Sequence, residues 1–149
     1  MSHFDDPWTF NLPFWEERAK FHLETPFYQT FLTHLRAGKS ALLPLERREL
    51  GNLDGLDVLH LQCHVGTDSL SLATMGACVT GVDFSPIAIE KARILATELN
   101  MDVRFEEANI RDVGTRFPQA FDMVFTSHGV LTWQPDLGIW AENIAQCLR

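Results

Sequence analysis

The spacing of apolar and polar side chains divides the chain into two stretches with different grammar. Up to about Leu35, apolar residues recur at helical intervals. Asn11 can cap, Pro13 sits near the first turn, and Glu16 and Glu17 suit the positive end of a helix dipole, so a helix is predicted from Asn11. Thr25–Pro26 interrupts it. Pro26 then opens a second helix with Phe27, Phe31 and Leu35 on one face and Gly38 as its stop. From Ala41 to Gly55 the chain reads as irregular or weakly helical, ending in the turn-like pairs Gly51–Asn52 and Asp54–Gly55.

After Gly55, short apolar runs alternate with helical patterns. DVLHL (57–61) predicts a strand, QCHVGT (62–67) a loop, DSLSLATM (68–75) a helix ended by Gly76, and CVTGVD (78–83) a second strand. Ser85 caps a helix that has Pro86 at its first position and Ala88, Ala92, Leu95 and Leu99 along its apolar stripe. VRFEEA (103–108) and FDMVFTS (121–127) predict a third and a fourth strand, and Leu137 to Leu148 a last helix. Short apolar strands alternating with helices imply a doubly wound α/β fold, a parallel sheet with right-handed crossovers. Ligands of such sheets lie beyond the carboxyl ends of the strands, which singles out residues 62–67, 83–85, 109–112 and 127–133.

Composition narrows the classes. A chain of 149 residues, 46% hydrophobic and 21% charged, makes one globular domain and argues against disorder. Its three cysteines, Cys63, Cys78 and Cys147, are odd in number without C-x-x-C spacing, which disfavours a disulfide framework or zinc ribbon and fits a reducing cytosol. The net charge of −8 is uneven: six basic against seven acidic residues up to residue 50, then six against thirteen. No basic cluster exceeds Arg47–Arg48, so nucleic-acid binding is not expected. The opening MSHFDDPW is acidic where a signal peptide is basic, and no long apolar run follows; a cytoplasmic protein without a membrane span is expected. Nine of the sixteen aromatic residues fall within the first 31 positions (Phe4, Trp8, Phe10, Phe14, Trp15, Phe21, Phe27, Tyr28 and Phe31). They predict a helical layer packed on the core, a cover over a ligand pocket, or both.

The strand ends then discriminate between ligands. A dinucleotide fingerprint aligned on Gln62 needs glycine at 62, 64 and 67, where the chain has Gln62, His64 and Thr67, and a Walker loop is absent. Asp83 ends the second strand, where a carboxylate can accept both hydroxyl protons of a ribose or stabilise the following helix N-terminus. Ribose without a pyrophosphate turn points to a nucleoside. His60 and His64 lie on a strand end and its loop, so their four-residue spacing makes no metal-binding face, and Cys63 has no identifiable orienting group for nucleophilic catalysis. His128, just after the fourth strand, is a candidate general base, with a structural or acceptor-shaping role as the alternative.

VLHLQCHVGTDSLSLATMGACVTGVDFSPIAIEKAR (58–93) resembles the opening of the class I S-adenosylmethionine-dependent methyltransferases, and within them the subgroup carrying HLQCH-x-G followed by GVDFS. EEANIRD (106–112) and TSHGVLTWQPDL–IWAENIAQCLR (126–149) extend the resemblance, which spans about residues 11–149. It implies a Rossmann-like sheet of about four strands in the order 3-2-1-4 under an N-terminal helical cap, with residues 1–50 as cap and 51–149 as a partial S-adenosylmethionine-binding domain. The backbone of Leu61, Gln62, Cys63 and on to Gly66 is expected to line the methionine portion, with Gly66 allowing close approach. Asp83 is expected to hold the ribose diol, Phe84 and Ile110 to pack on the adenine, and Asn109 to contact its amino group. Ser127 and His128 are expected beside the methyl group and the acceptor, and Trp15 and Arg18 in the closing helix. The family's first motif has an acid at His60 and glycine at 62 and 64, so this chain puts side chains where the family has none.

The resemblance implies methyl transfer to a small-molecule acceptor, with S-adenosylmethionine as cofactor. A non-catalytic nucleotide-binding or interaction module derived from such an enzyme is the alternative. The family continues past its last helix here with a Pro-Gly-Gly-like turn, a fifth strand, a helix and a hairpin. A truncated form is therefore expected, with strand 121–127 as an apolar edge, or else a homodimer that covers it.

Overall fold

In the computed structural model, which describes residues 6–149, the alternating segments form four parallel strands. These are β1 (Asp57–Leu61), β2 (Cys78–Asp83), β3 (Arg104–Glu107) and β4 (Met123–Phe125), in the order β3-β2-β1-β4. Central β1 sets His60 against Gly81 on one side and Phe125 on the other. Its Val58, Leu59, His60 and Leu61 are buried, as expected of a strand covered on both faces.

Helices α1 (Leu12–Phe21), α2 (Pro26–Arg36) and α3 (Pro44–Leu50) precede the sheet; α4 (Thr67–Ala73), α5 (Pro86–Glu98), α6 (Val113–Arg116) and α7 (Leu137–Cys147) alternate with its strands. One layer packs Leu32 and Leu35 of α2 with Leu70, Ile89, Leu95 and Phe105. The opposite layer packs Leu59, Leu61 and Val82 with Ile110, Val113, Phe117 and Cys147. Each fully buried Leu, Ile or Phe side chain contributes about 1.5–3 kcal/mol. A smaller cluster of Ala19, Val65 and Ala88 seats α1 on the turn after β1 and on α5, placing the N-terminal helices over the carboxyl ends of the strands.

The sequence expectations need four corrections. Of the stretch left as irregular or weakly helical, residues 44–50 form a regular helix, α3, because Pro44 starts it and the Glu46 carboxylate accepts from Leu43 N–H at 2.7 Å. Asn11 stands at the start of α1 but its side chain caps nothing, and no acid falls in that first turn. The third and fourth strands are shorter than 103–108 and 121–127. The bare edge expected over 121–127 is met at its first residue: Phe121 bridges in parallel to Leu148, and Arg149 N–H donates to Phe121 O at 3.0 Å. Phe4, counted with the cap's aromatics, lies outside the described residues. Among those described, no helix is long and apolar enough to cross a membrane.

Candidate functional site

The turn from β1 into α4 carries positive φ at Gln62 (56°), His64 (49°) and Gly66 (80°). Side chains in this left-handed region cost on the order of 1 kcal/mol each, so something must hold Gln62 and His64 there. Gln62 Oε1 accepts from Trp140 Nε1–H of α7 at 3.4 Å. His64 Nε2 and His22 Nδ1 are hydrogen-bonded at 2.8 Å, and the His64 ring lies 5.6 Å from Trp15 and 6.3 Å from Tyr28. The two non-glycine residues thus fasten the turn to the last helix and to the N-terminal cap. Burial, reinforced by His22, pulls His64 down to about pKa 4, so this junction is neutral at pH 7.

Gly66 meets a packing demand behind the turn. A Cβ there would stand 2.7 Å from the Phe105 ring and 2.9 Å from Ala92, and Gly66 is not part of the cavity wall. Its glycine lets the turn settle on β3 and α5.

Asp83 links this turn to the next. Its Oδ2 accepts from His64 N–H at 2.8 Å and its Oδ1 from Ser85 N–H at 2.9 Å. Burial outweighs these bonds and those from neighbouring backbone, and raises the carboxyl to about pKa 6. No ion pair holds it among the described residues, and each oxygen keeps acceptor capacity for a further donor.

A cavity of about 570 Å³ opens beyond the strand ends, between the sheet and the N-terminal helices. Its walls bring together Trp15, Leu61, Gln62, Cys63, Asp83, Phe84, Asn109, Ile110, Ser127 and His128 of the expected site residues. Arg18 is not among them, because its guanidinium stacks over the Phe14 ring at 3.4 Å. Asn109 is committed on both sides of its amide: Oδ1 accepts from Arg111 N–H at 3.2 Å and Nδ2 donates to Trp8 O at 3.1 Å. The cap therefore both packs and roofs a pocket, and burial raises Tyr28 in that roof to about pKa 12, with Asp68 adding to the shift.

Asp68, on the first turn of α4, was not singled out from the sequence. Its Oδ2 accepts from Ser127 Oγ–H at 2.8 Å and from His128 Nε2–H at 3.0 Å. Burial alone would raise this carboxyl, yet the His128 hydrogen bond and the other neighbours hold it below its usual value. The same hydrogen bond raises His128 against the opposing effect of its own burial. Since Nε2 faces Asp68, Nδ1 is the nitrogen able to take up a proton. Beneath the dyad, His60 Nδ1 is hydrogen-bonded to Ser69 Oγ at 2.7 Å, and burial lowers it to about pKa 4, which keeps it neutral. Nothing local in the sequence marks Asp68; only the fold brings residues 68 and 128 together.

Comparison with known proteins bears on the family and the fold. A family model described as a methyltransferase domain matches residues 58–149. The ubiquinone biosynthesis O-methyltransferase of Chelativorans sp. is 28% identical over 138 residues, 91% of this chain and 53% of that protein. Its counterpart from Vibrio atlanticus is 36% identical over 92 residues, 62% of this chain and 38% of that protein, so the chain spans about half or less of these relatives' length. Magnesium protoporphyrin IX methyltransferase from Synechocystis PCC 6803, solved with bound SAH, superposes with a TM-score of 0.71 at 18% identity, over 96% of this chain and 68% of that one, a likeness of fold. With the family model matched over more than half of its length, the chain belongs to the methyltransferase-domain family.

Proposed function

We propose that the chain binds S-adenosylmethionine in this cavity and transfers its methyl group to a small-molecule acceptor. The observation that carries the reading is the Asp83 carboxylate: it stands in the cavity wall at the end of β2, without a counter-ion among the described residues and with acceptor capacity to spare. A ribose diol supplies the hydroxyl donors such a group lacks. Leu61, Phe84 and Ile110 offer apolar wall for a purine beside it. The absence of Lys and Arg from the lining, among the described residues, suits a ligand carrying positive charge. The sequence subgroup marked by HLQCH-x-G and GVDFS belongs to this reading, as do residues 1–50 as cap, residues 51–149 as donor-binding layer, and a cytosolic setting for three free thiols. So does a second copy of the chain along the outer edge of β4, which sedimentation equilibrium checks.

When bound, S-adenosylmethionine would have its ribose at Asp83 and its purine against Phe84 and Ile110, and would supply an activated methyl group to the acceptor, with S-adenosylhomocysteine as the by-product. The protein's part is alignment, exclusion of water and handling of one proton. The cap residues Trp15 and Tyr28 roof the cavity. His128 Nδ1 takes the acceptor's proton, and Asp68, hydrogen-bonded to Nε2, balances the imidazolium that forms. Calorimetric titration of S-adenosylmethionine and S-adenosylhomocysteine, followed by labelled methyl transfer to a metabolite pool, tests the reading. Uptake of both with a labelled product is expected. No uptake overturns the donor site, and uptake without any product leaves a nucleotide-binding module.

A further inference from the structure

S-adenosylmethionine carries an α-carboxylate, and the wall that would receive it has no Lys or Arg among the described residues. A carboxylate that leaves water there needs neutral hydrogen-bond donors in their place. With the sugar at Asp83, those donors belong near the turn after β1, since His64 N–H donates to Asp83 Oδ2 at 2.8 Å. His64, Thr67 and Tyr28 line the cavity at this end, with the Tyr28 ring 6.3 Å from that of His64. Thr67 is only 6% exposed, yet its hydroxyl makes no hydrogen bond among the described residues. The Tyr28 hydroxyl and His64 Nδ1 are equally without partners among them, and all three atoms keep accessible surface. Burial, with Asp68 adding to it, raises Tyr28 to about pKa 12, so its hydroxyl stays a donor.

The histidine pair decides which way its protons face. His22 Nδ1 and His64 Nε2 are hydrogen-bonded at 2.8 Å, and burial lowers both imidazoles, His64 to about pKa 4, so each ring is neutral at pH 7. Two neutral rings hold two ring protons, and one of these occupies the contact between them. The pair therefore turns one N–H and one bare nitrogen outward. His64 Nδ1 is the outward donor only when His22 Nδ1–H donates to His64 Nε2. His22 belongs to the cap, in the single turn His22–Glu24 between α1 and α2, with its ring stacked on Tyr28 at 5.1 Å. Asp68, next to Thr67, is already bonded to Ser127 and His128 and does not draw on these donors.

Resting on the donor-site reading above, we propose that the donor's α-carboxylate is received by the neutral donors His64 Nδ1–H, Thr67 Oγ1–H and Tyr28 Oη–H, and that His22 is the positioning residue that selects the donating tautomer of His64. The imidazole at 64, where the family has glycine, thereby reads the amino-acid end of the donor and ties that reading to the cap.

Calorimetry on the intact chain tests this with three adenosine ligands. S-adenosylhomocysteine has the carboxylate, S-adenosyl-3-thiopropylamine is the same molecule without it, and 5′-methylthioadenosine lacks both carboxylate and ammonium. The first should bind at least about tenfold tighter than the second. His64→Gly, Thr67→Val and Tyr28→Phe should each shrink that preference about fivefold while 5′-methylthioadenosine binds within about twofold of wild type, which also reports that the variants fold. His22→Phe should shrink it through His64, and His22→Asn, whose amide N–H replaces Nδ1–H, should restore it. In the S-adenosylhomocysteine complex, ¹⁵N NMR of the imidazoles should find the His64 proton on Nδ1. Equal affinity for the first two ligands, an unchanged preference in His64→Gly, or a His64 proton on Nε2 overturns the proposal. Failure of all three ligands to bind removes the donor site and this subsite with it, whereas normal uptake of all three without a preference for the carboxylate removes only the subsite.

Discussion

The turns that follow β1 and β2 perform the same reversal from strand into helix with opposite use of local propensity. After β2, Ser85 sits in extended backbone, its Oγ accepts from Ala88 N–H at 3.1 Å, and Pro86 takes the first helical position, so every residue prefers the conformation it adopts. After β1, Gln62 and His64 are held in the left-handed region by contacts from α7 and from the cap. The second turn stands on its own sequence. The first stands on residues distant in the chain, and what it gains is a coupling: the cap and the last helix grip the same few residues that line the cavity.

Asp83 is the bolt between the two turns, so removing it should have the largest effect. Asp83→Ala leaves the amides of His64 and Ser85 without their carboxylate and takes the proposed ribose acceptor away. S-adenosylhomocysteine affinity measured by calorimetry should fall about 100-fold, the equivalent of two hydrogen bonds to a charge. Undiminished binding would show that the junction of the turns is structural and the sugar lies elsewhere.

Protonation probes the same bolt without a mutation. With its carboxyl raised to about 6, Asp83 contributes stability that is present below its ordinary value of 3.8 and lost as pH rises through about 6. His60 and His64, lowered to about 4, act in the opposite sense: their contribution is present above 6.5 and lost as pH falls through about 4. Melting curves therefore blend the two. Ligand binding isolates Asp83, because ribose hydroxyls favour the ionised form. Affinity should fall by up to about tenfold per pH unit below about pH 6, and binding at pH 6 should release about half a proton. Calorimetry in phosphate and in Bis-Tris at pH 6 reads that proton, and identical heats in the two buffers after correction for cofactor dilution would count against the assignment.

Legibility in the sequence follows the same contrast. β1, β2 and the start of α5 could be read directly because pattern, cap and proline agree with the tertiary demand. α3 is legible only as weak helical character because its signals, Pro44 and a Glu46 that bonds Leu43 N–H, sit in a stretch without an apolar stripe. β4 was drawn too long because Phe121, apolar and adjacent, pairs outward to Leu148 instead. In the site, strand-end positions were visible from topology alone, as Asp83, Ser127 and His128 illustrate. Asp68 was not, since its meaning depends on partners about sixty residues away. Arg18 could not be placed because a guanidinium on α1 can turn to a ring or to a ligand, and here it takes Phe14.

The smallest effect is also the sharpest test of the contrast, since it depends on an order and not on a size. At Gln62 and at His64, glycine and alanine variants both remove the side-chain contacts to α7 or the cap, but only alanine keeps a Cβ in the left-handed region. The glycine variant should therefore be the more stable of each pair by about 1 kcal/mol in urea denaturation, even though glycine gives the unfolded chain more freedom. At Glu90, exposed on α5, the order should invert, with alanine ahead of glycine by about 1 kcal/mol. Alanine ahead of glycine at 62 and 64 as well would mean that the turn relaxes out of its left-handed geometry once those contacts are gone. The cap and α7 would then shape the turn and not merely hold it.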